Sequence, residues 1–199
     1  MSKECQKIDI DQRTHLSVKL RWHGKVDLDL SAFMLNKDGY IDDESDFVFY
    51  NSTHRSENFD SERYVGEEDW ISKTVPISAD SSLVGATDAE GIVDGNSVET
   101  MSLNLQRVSE NICRIVFCVS VFQSGLHSGR NGVRLRSDIS LIDSDTGEVL
   151  SSFALDELGC SATSVEAYDL ERTPDRGWVC RFCNVTHDGG LRSIIDKYV

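Results

Sequence analysis

Between Val26 and Asn51 the chain reads VDLDLSAFMLNKDGYIDDESDFVFYN, two apolar strands joined by turn residues, with carboxylates where each strand begins. Val26, Leu28, Leu30, Ala32 and Met34 alternate with Asp27, Asp29 and Ser31. A period of two sends successive side chains to opposite faces, so this segment is a strand and not a helix. Asp27 and Asp29 then share a face, about 7 Å apart. Like charges at that spacing repel unless water or a cation lies between them. Asn36-Lys37-Asp38-Gly39 supplies turn chemistry, and a second acid run (Asp42, Asp43, Glu44, Asp46) leads into Phe47-Val48-Phe49-Tyr50. Two carboxylate-rich strand ends joined by a short connection resemble half of an oxygen-ligand metal site.

The same alternation recurs along the chain. Leu16, Val18, Leu20 and Trp22 alternate with Ser17, Lys19, Arg21 and His23, and Met101, Leu103 and Leu105 alternate with Ser102 and Asn104. Residues 112–122 form the most hydrophobic run, rich in β-branched residues, and read as a central strand. Asp143-Ser144-Asp145-Thr146-Gly147 is a turn between strands over 133–142 and 148–154. Residues 165–172 and 178–185 read as the arms of a further hairpin. Residues 52–69 are polar and irregular, a long exposed loop; 70–77 reads as an edge strand because Pro76 cannot donate to a ladder. Leu191, Ile194, Ile195 and Tyr198 have helical spacing, with Asp188 as candidate N-cap. The expected fold is an all-β sandwich of two mainly antiparallel sheets with short helices, including one near the C-terminus. The chain reads as a single domain over 1–199, with residues 1–14 a poorly defined N-terminal segment.

A net charge of −14 decides which partners are excluded. Such a surface repels phosphate backbones and anionic lipid, so nucleic acid is not an expected partner, while cations are attracted. No apolar run approaches the roughly 20 residues of a membrane-spanning helix, so no transmembrane segment is expected. The N-terminus lacks the apolar core of a signal peptide, which predicts a cytoplasmic protein. The six cysteines are then expected to be mostly reduced thiols.

The segment 87–99, TDAEGIVDGNSVE, is a second acidic loop. Counting Asp88 as the first position, Glu90, Asp94, Asn96 and Glu99 fall on most ligand positions of an EF-hand loop. Ile92 and Val93 occupy the middle positions, where a ligand and a glycine belong, and the flanks read as strand, so an EF-hand is rejected. What remains is a set of hard oxygen donors suited to Ca²⁺, which tolerates irregular shells. Asp143, Asp145 and Glu148 are better explained as hairpin chemistry. Cys180 and Cys183 have C-x-x-C spacing, but on a strand residues three apart face opposite sides and cannot share an ion. The chain lacks G-x-S-x-G, H-E-x-x-H and a Gly-rich phosphate loop, so no enzymatic activity is expected. An undescribed enzyme or small-ligand receptor is the competing class, resting on the acidic cleft and His187, although Gly189 and Gly190 explain that region as the start of a helix.

DLDLSAF followed by DFVFYN is similar to the hallmark of the TerD family, the tellurium-resistance and stress-response domain of bacteria. Arg114-Ile115-Val116-Phe117 with Val119-Ser120-Val121 resembles its central strand, and Trp178, Arg181 and Gly189-Gly190-Leu191 resemble its C-terminal half. The resemblance implies a β-sandwich holding calcium ions in acidic loops at one end. It also implies a part in resistance to tellurite and other stress alongside partner proteins, with no established catalytic activity. Carried over by position, Asp27, Asp29, Asp46 and Asn51 match, as do Asp88 and Glu99, with Asp94 aligned approximately. Asn96-Ser97-Val98 stands where the family carries denser acid, and Phe122-Gln123 replaces a His-Asp pair. Fewer carboxylates lower site charge and hence affinity. One ion instead of two, weak binding, or a metal-free protein-interaction domain using the long 52–83 region are the alternatives this leaves.

Overall fold

The computed structural model describes residues 5–24, 26–57, 74–86, 92–93, 96–122, 136–155, 158 and 162–199. They form two antiparallel sheets packed face to face. The first runs β1 (Gln6–Ile8), β14 (Trp178–His187), β13 (Ser164–Arg172), β10 (Arg114–Val121), β3 (Leu28–Leu35), β4 (Phe47–Val48). The second runs β12 (Val149–Ala154), β11 (Arg136–Asp143), β2 (His15–His23), β9 (Asn96–Asn104), β7 (Leu83–Val84), with β8 (Ile92–Val93) hairpinned onto β9. Strands β5 (Arg55–Glu57) and β6 (Thr74–Pro76) pair separately, and helix α1 (Gly190–Tyr198) follows β14. No helix among the described residues is long and apolar enough to cross a membrane.

Strand β2 shows the alternation at its simplest: Leu16, Val18, Leu20 and Trp22 are buried between the sheets, and the residues between them are not. Strands β3 and β10 differ, because both of their faces are covered. Leu28, Leu30, Ala32 and Met34 face the other sheet, while Phe33, Leu35, Val116 and Cys118 pack under Ile194 and Tyr198 of α1. This accounts for the continuous apolar run of β10 in sequence. The turn 143–147 is built as its residues predict. Asp143 Oδ1 accepts the N–H groups of Asp145 and Thr146, and Gly147 takes φ +75.

Five expectations change. Of the region 52–69 read as an exposed loop, Arg55–Glu57 form strand β5 paired with β6 and Ser52 is buried, while 58–69 lie outside the described residues. Residues 5–14 belong to the fold: β1 pairs with β14, and Ile8 and Ile10 enter the main core. Residues 96–99 lie on strand β9 and not in a loop, because β8 folds back on them. Asp188 does not cap α1; Gly189 is the N-cap with no side-chain bond, and the Gly190 N–H donates to Thr163 Oγ1 at 2.8 Å. Cys5 and Cys183 form a disulfide, since the β1–β14 register sets them opposite each other. Cys113, Cys118 and Cys180 are free thiols, and Cys180 lies in the core as a small apolar side chain.

Helix α1 is clamped to the outer face of the first sheet through Glu166 of β13, which is 3% exposed. Its carboxylate accepts from Lys197 Nζ at 2.8 and 2.9 Å and from Tyr198 Oη at 2.6 Å, and lies 2.8 Å from His187 Nε2. Burial pushes this carboxyl up, but the bonds from Lys197, Tyr198 and His187 outweigh it, and the net shift is downward. A depressed carboxyl contributes stability at neutral pH that is lost as pH falls through the folded-state value, below the ordinary 4.5. Glu166→Gln should therefore lower stability by about 2 kcal/mol at pH 7 and flatten the acid limb of the stability curve. Urea midpoints of both proteins between about pH 7 and about pH 3 check this; parallel curves would refute the clamp.

Candidate metal centre

The rim is built where β3 starts. Asp29 is 6% exposed and occupies the outer face that Phe33 and Leu35 share further along. Asp27 lies just ahead of the strand, half-buried, with its carbonyl accepting the Phe122 N–H at 2.9 Å. Glu99 comes from the other sheet. On β9 it continues the inner row of Met101 and Leu103, opposite Leu20 of β2, and is 1% exposed. From there its Oε2 accepts the Leu30 N–H at 2.7 Å. That nitrogen is part of the Asp29–Leu30 peptide, so a carboxylate from one sheet is delivered to the backbone of Asp29 in the other.

The bond exists because β4 leaves the sheet early. Pairing of Ala32 with Val48 and Phe33 with Phe47 would, if continued, set Leu30 against Tyr50 and Asp29 against Asn51. Instead residues 49–52 turn: Ser52 Oγ accepts the Phe49 N–H at 3.0 Å and donates to the Phe47 carbonyl. The Tyr50 carbonyl is taken by Arg55 Nη1 at 2.6 Å, and Arg55 Nε reaches Thr74 Oγ1. Asn51 is left exposed in this turn. A ladder of rings, Phe33–Phe47–Phe49–Tyr50–Phe122, walls this side, with centroids 4.3, 4.5, 5.6 and 5.8 Å apart in turn.

Asp27, Asp29, Asn51 and Glu99 thus share one end of the sandwich. Asp46 does not. It ends a 3-10 turn (Glu44–Asp46) whose capping box joins it to Asp43, and the β3–β4 register sets it beside Met34. Five strand positions separate that level from Asp29, roughly 17 Å. Burial pushes the Asp46 carboxyl up, Asp43 and Asp80 add to the shift, and backbone hydrogen bonds at Asp43 and Asp42 oppose it. Asp88 and Asp94 lie outside the described residues. Among the described residues no group of three or more His, Cys, Asp or Glu side chains could by itself hold a metal ion.

The model of the TerD domain matches residues 3–198. The chain belongs to the TerD family. Its relatives include a tellurium resistance protein TerD from Alcaligenes sp, 25% identical over 173 residues, covering 86% of this chain and 77% of that protein. General stress protein 16U of Bacillus subtilis (strain 168) is 25% identical over 172 residues, covering 86% and 77% of the two chains. Among solved structures, a crystal structure of a protein of unknown function matches at TM-score 0.64 and 16% identity over 92% of this chain and 95% of that one. A homologue of telluride resistance protein (TerD) from Streptomyces coelicolor A3(2) matches at TM-score 0.56 and 16% identity over 92% and 96%. The TerD sandwich is therefore the fold of this chain.

Within this TerD domain, the Glu99 bond to Leu30 joins the two sheets at the rim. Glu99→Ala should cost about 2 kcal/mol by stranding a buried N–H, while Glu99→Gln, which keeps an acceptor, should cost less than half of that. Urea denaturation measures both, and equal costs would show that the acceptor at Leu30 does not matter.

Proposed function

We propose that this TerD-family chain is a calcium-binding, non-enzymatic module of a bacterial stress-response system, acting through partner proteins. The observation that carries the reading is the delivery of buried Glu99 to the peptide of buried Asp29, across the two sheets. Deeply buried carboxylates need donors, protons or cations around them. Asp27 and Asn51 add oxygen donors at the same end, and every donor is a hard oxygen, the set Ca²⁺ prefers. The names of the relatives, tellurium resistance protein and general stress protein, support the stress role.

The residues that would hold the ion are Asp27, Asp29, Asn51 and Glu99, with Asp88 and Asp94 as the proposed contribution of the segment 87–95. Calcium, when bound, supplies positive charge that relieves repulsion among them. Asp29 lies on the outer face of β3 and Glu99 reaches the strand from the inner face, so an ion held between them at the edge that β4 leaves open would tie the two sheets together at this end. The turn 49–52 and the rings of Tyr50 and Phe122 are fixed against the same end, and their exposed edges form the surface that partners would meet.

Calcium titration followed by melting temperature tests this. At a hundredfold excess over Kd the gain is about 2.7 kcal/mol, a rise of roughly 5–10 °C for a chain of this size. Asp29→Asn and Glu99→Gln should abolish the rise. Asp46→Asn, at the far end of β3, should leave it intact. No rise at millimolar calcium would favour a metal-free interaction domain.

A further inference from the structure

We propose that Cys5 and Cys183 form a reversible thiol latch that fastens the N-terminal strand β1 to the edge of β14, and that low-molecular-weight thiols and disulfides open and close it. The register pairs Gln6 with Phe182, Lys7 with Arg181 and Ile8 with Cys180. One position further, Cys5 and Cys183 stand directly opposite with Cα atoms 4.3 Å apart. That is close to the spacing of a non-hydrogen-bonded antiparallel pair, so the bond forms with the strands already in place.

Without the bond, β1 has little to hold it. It is three residues long and lies at a sheet edge. Lys7 faces Arg181, a like-charge pair across the strands that weakens pairing. Arg181 is held on its other side by Glu171, at 2.9 Å. Only Ile8 of the strand is buried, with Ile10 following it into the core. The latch therefore stands between a closed edge and an open one, with little else in the balance.

The sulfurs are unequal. Cys5 is exposed and Cys183 is buried, so a thiolate reaches the bond at Cys5. Attack on Cys5 Sγ forms a mixed disulfide and releases the Cys183 thiolate, which takes up a proton. A second small thiolate then attacks the small-molecule sulfur of the mixed disulfide, releasing the Cys5 thiolate and one small disulfide. Two small thiols are oxidised as the protein bond is reduced, and the reverse exchange closes the latch. Cys180 does not compete: it lies on the opposite face, fully buried, with its thiol pushed up to about 12 by burial. Cys118, under α1, is held protonated in the same way.

The test uses the full chain in chelator, so that it is independent of any bound metal. After equilibration with reduced or oxidised glutathione, differential alkylation and peptide mapping should show Cys5 and Cys183 changing state together while the buried Cys118 and Cys180 do not. Hydrogen exchange over residues 6–8 and 180–182 should be about tenfold faster in the reduced protein. Cys5→Ser, at an exposed position, should fix the fast exchange under both conditions and leave β10 unchanged. Free Cys5 and Cys183 thiols under oxidised glutathione would overturn the proposal. So would equal protection of β1 in the two states.

Discussion

Burial of strand β3 on both faces is the constraint on which the rim depends. All eight of its residues are buried, four toward the other sheet and the rest toward the helix side. A slip of one residue against β10 would exchange these sets, pushing Asp29 and Ser31 into the apolar interior and drawing Leu28 and Leu30 out. No such slip is tolerable, so the hydrophobic pattern fixes where the Asp29 carboxylate and the Leu30 N–H lie. Glu99 is fixed independently by β9, whose inner row of Met101 and Leu103 is equally unable to shift. The site is the meeting point of two registers, each set by apolar packing.

Much of this was legible in sequence, and the gaps have physical causes. Period-two alternation placed β2, β3 and β9, and turn residues placed the hairpin at Gly147. Gly91 and Gly95 suggest a loop reaching Glu99; stepping back by twos from Leu103 and Met101 reaches it instead as an inward-facing strand position. The position of Asp46 follows from hairpin geometry. In two antiparallel strands joined by a short turn, the starts lie at opposite ends, so acids before β4 cannot join acids before β3. Asn51, in the turn that follows β4, lies toward the other end. Motif similarity grouped all of them, and the register separates them.

Contacts between distant parts of the chain left no local signal. Cys5 and Cys183 are separated by 178 positions, and neither has a neighbour that announces the other. Glu166 sits between Val165 and Ala167 in β13, where nothing local points to Lys197 and Tyr198. His187 reads as a residue before a glycine pair, yet its ring faces the same carboxylate. Such groups become visible only once topology is known, because their partners are brought by the sheet.

The start of α1 has a consequence for how the protein is made. With no capping side chain of its own, the helix relies on Thr163, just before β13, and on Glu166 within it, and nine residues are too few to be helical alone in water. It also emerges from the ribosome after every strand it covers. Until it docks, Phe33, Leu35 and Val116 form an uncovered apolar face on the nascent chain. The period between synthesis of β10 and arrival of Ile194 and Tyr198 is thus when this polypeptide most needs a chaperone.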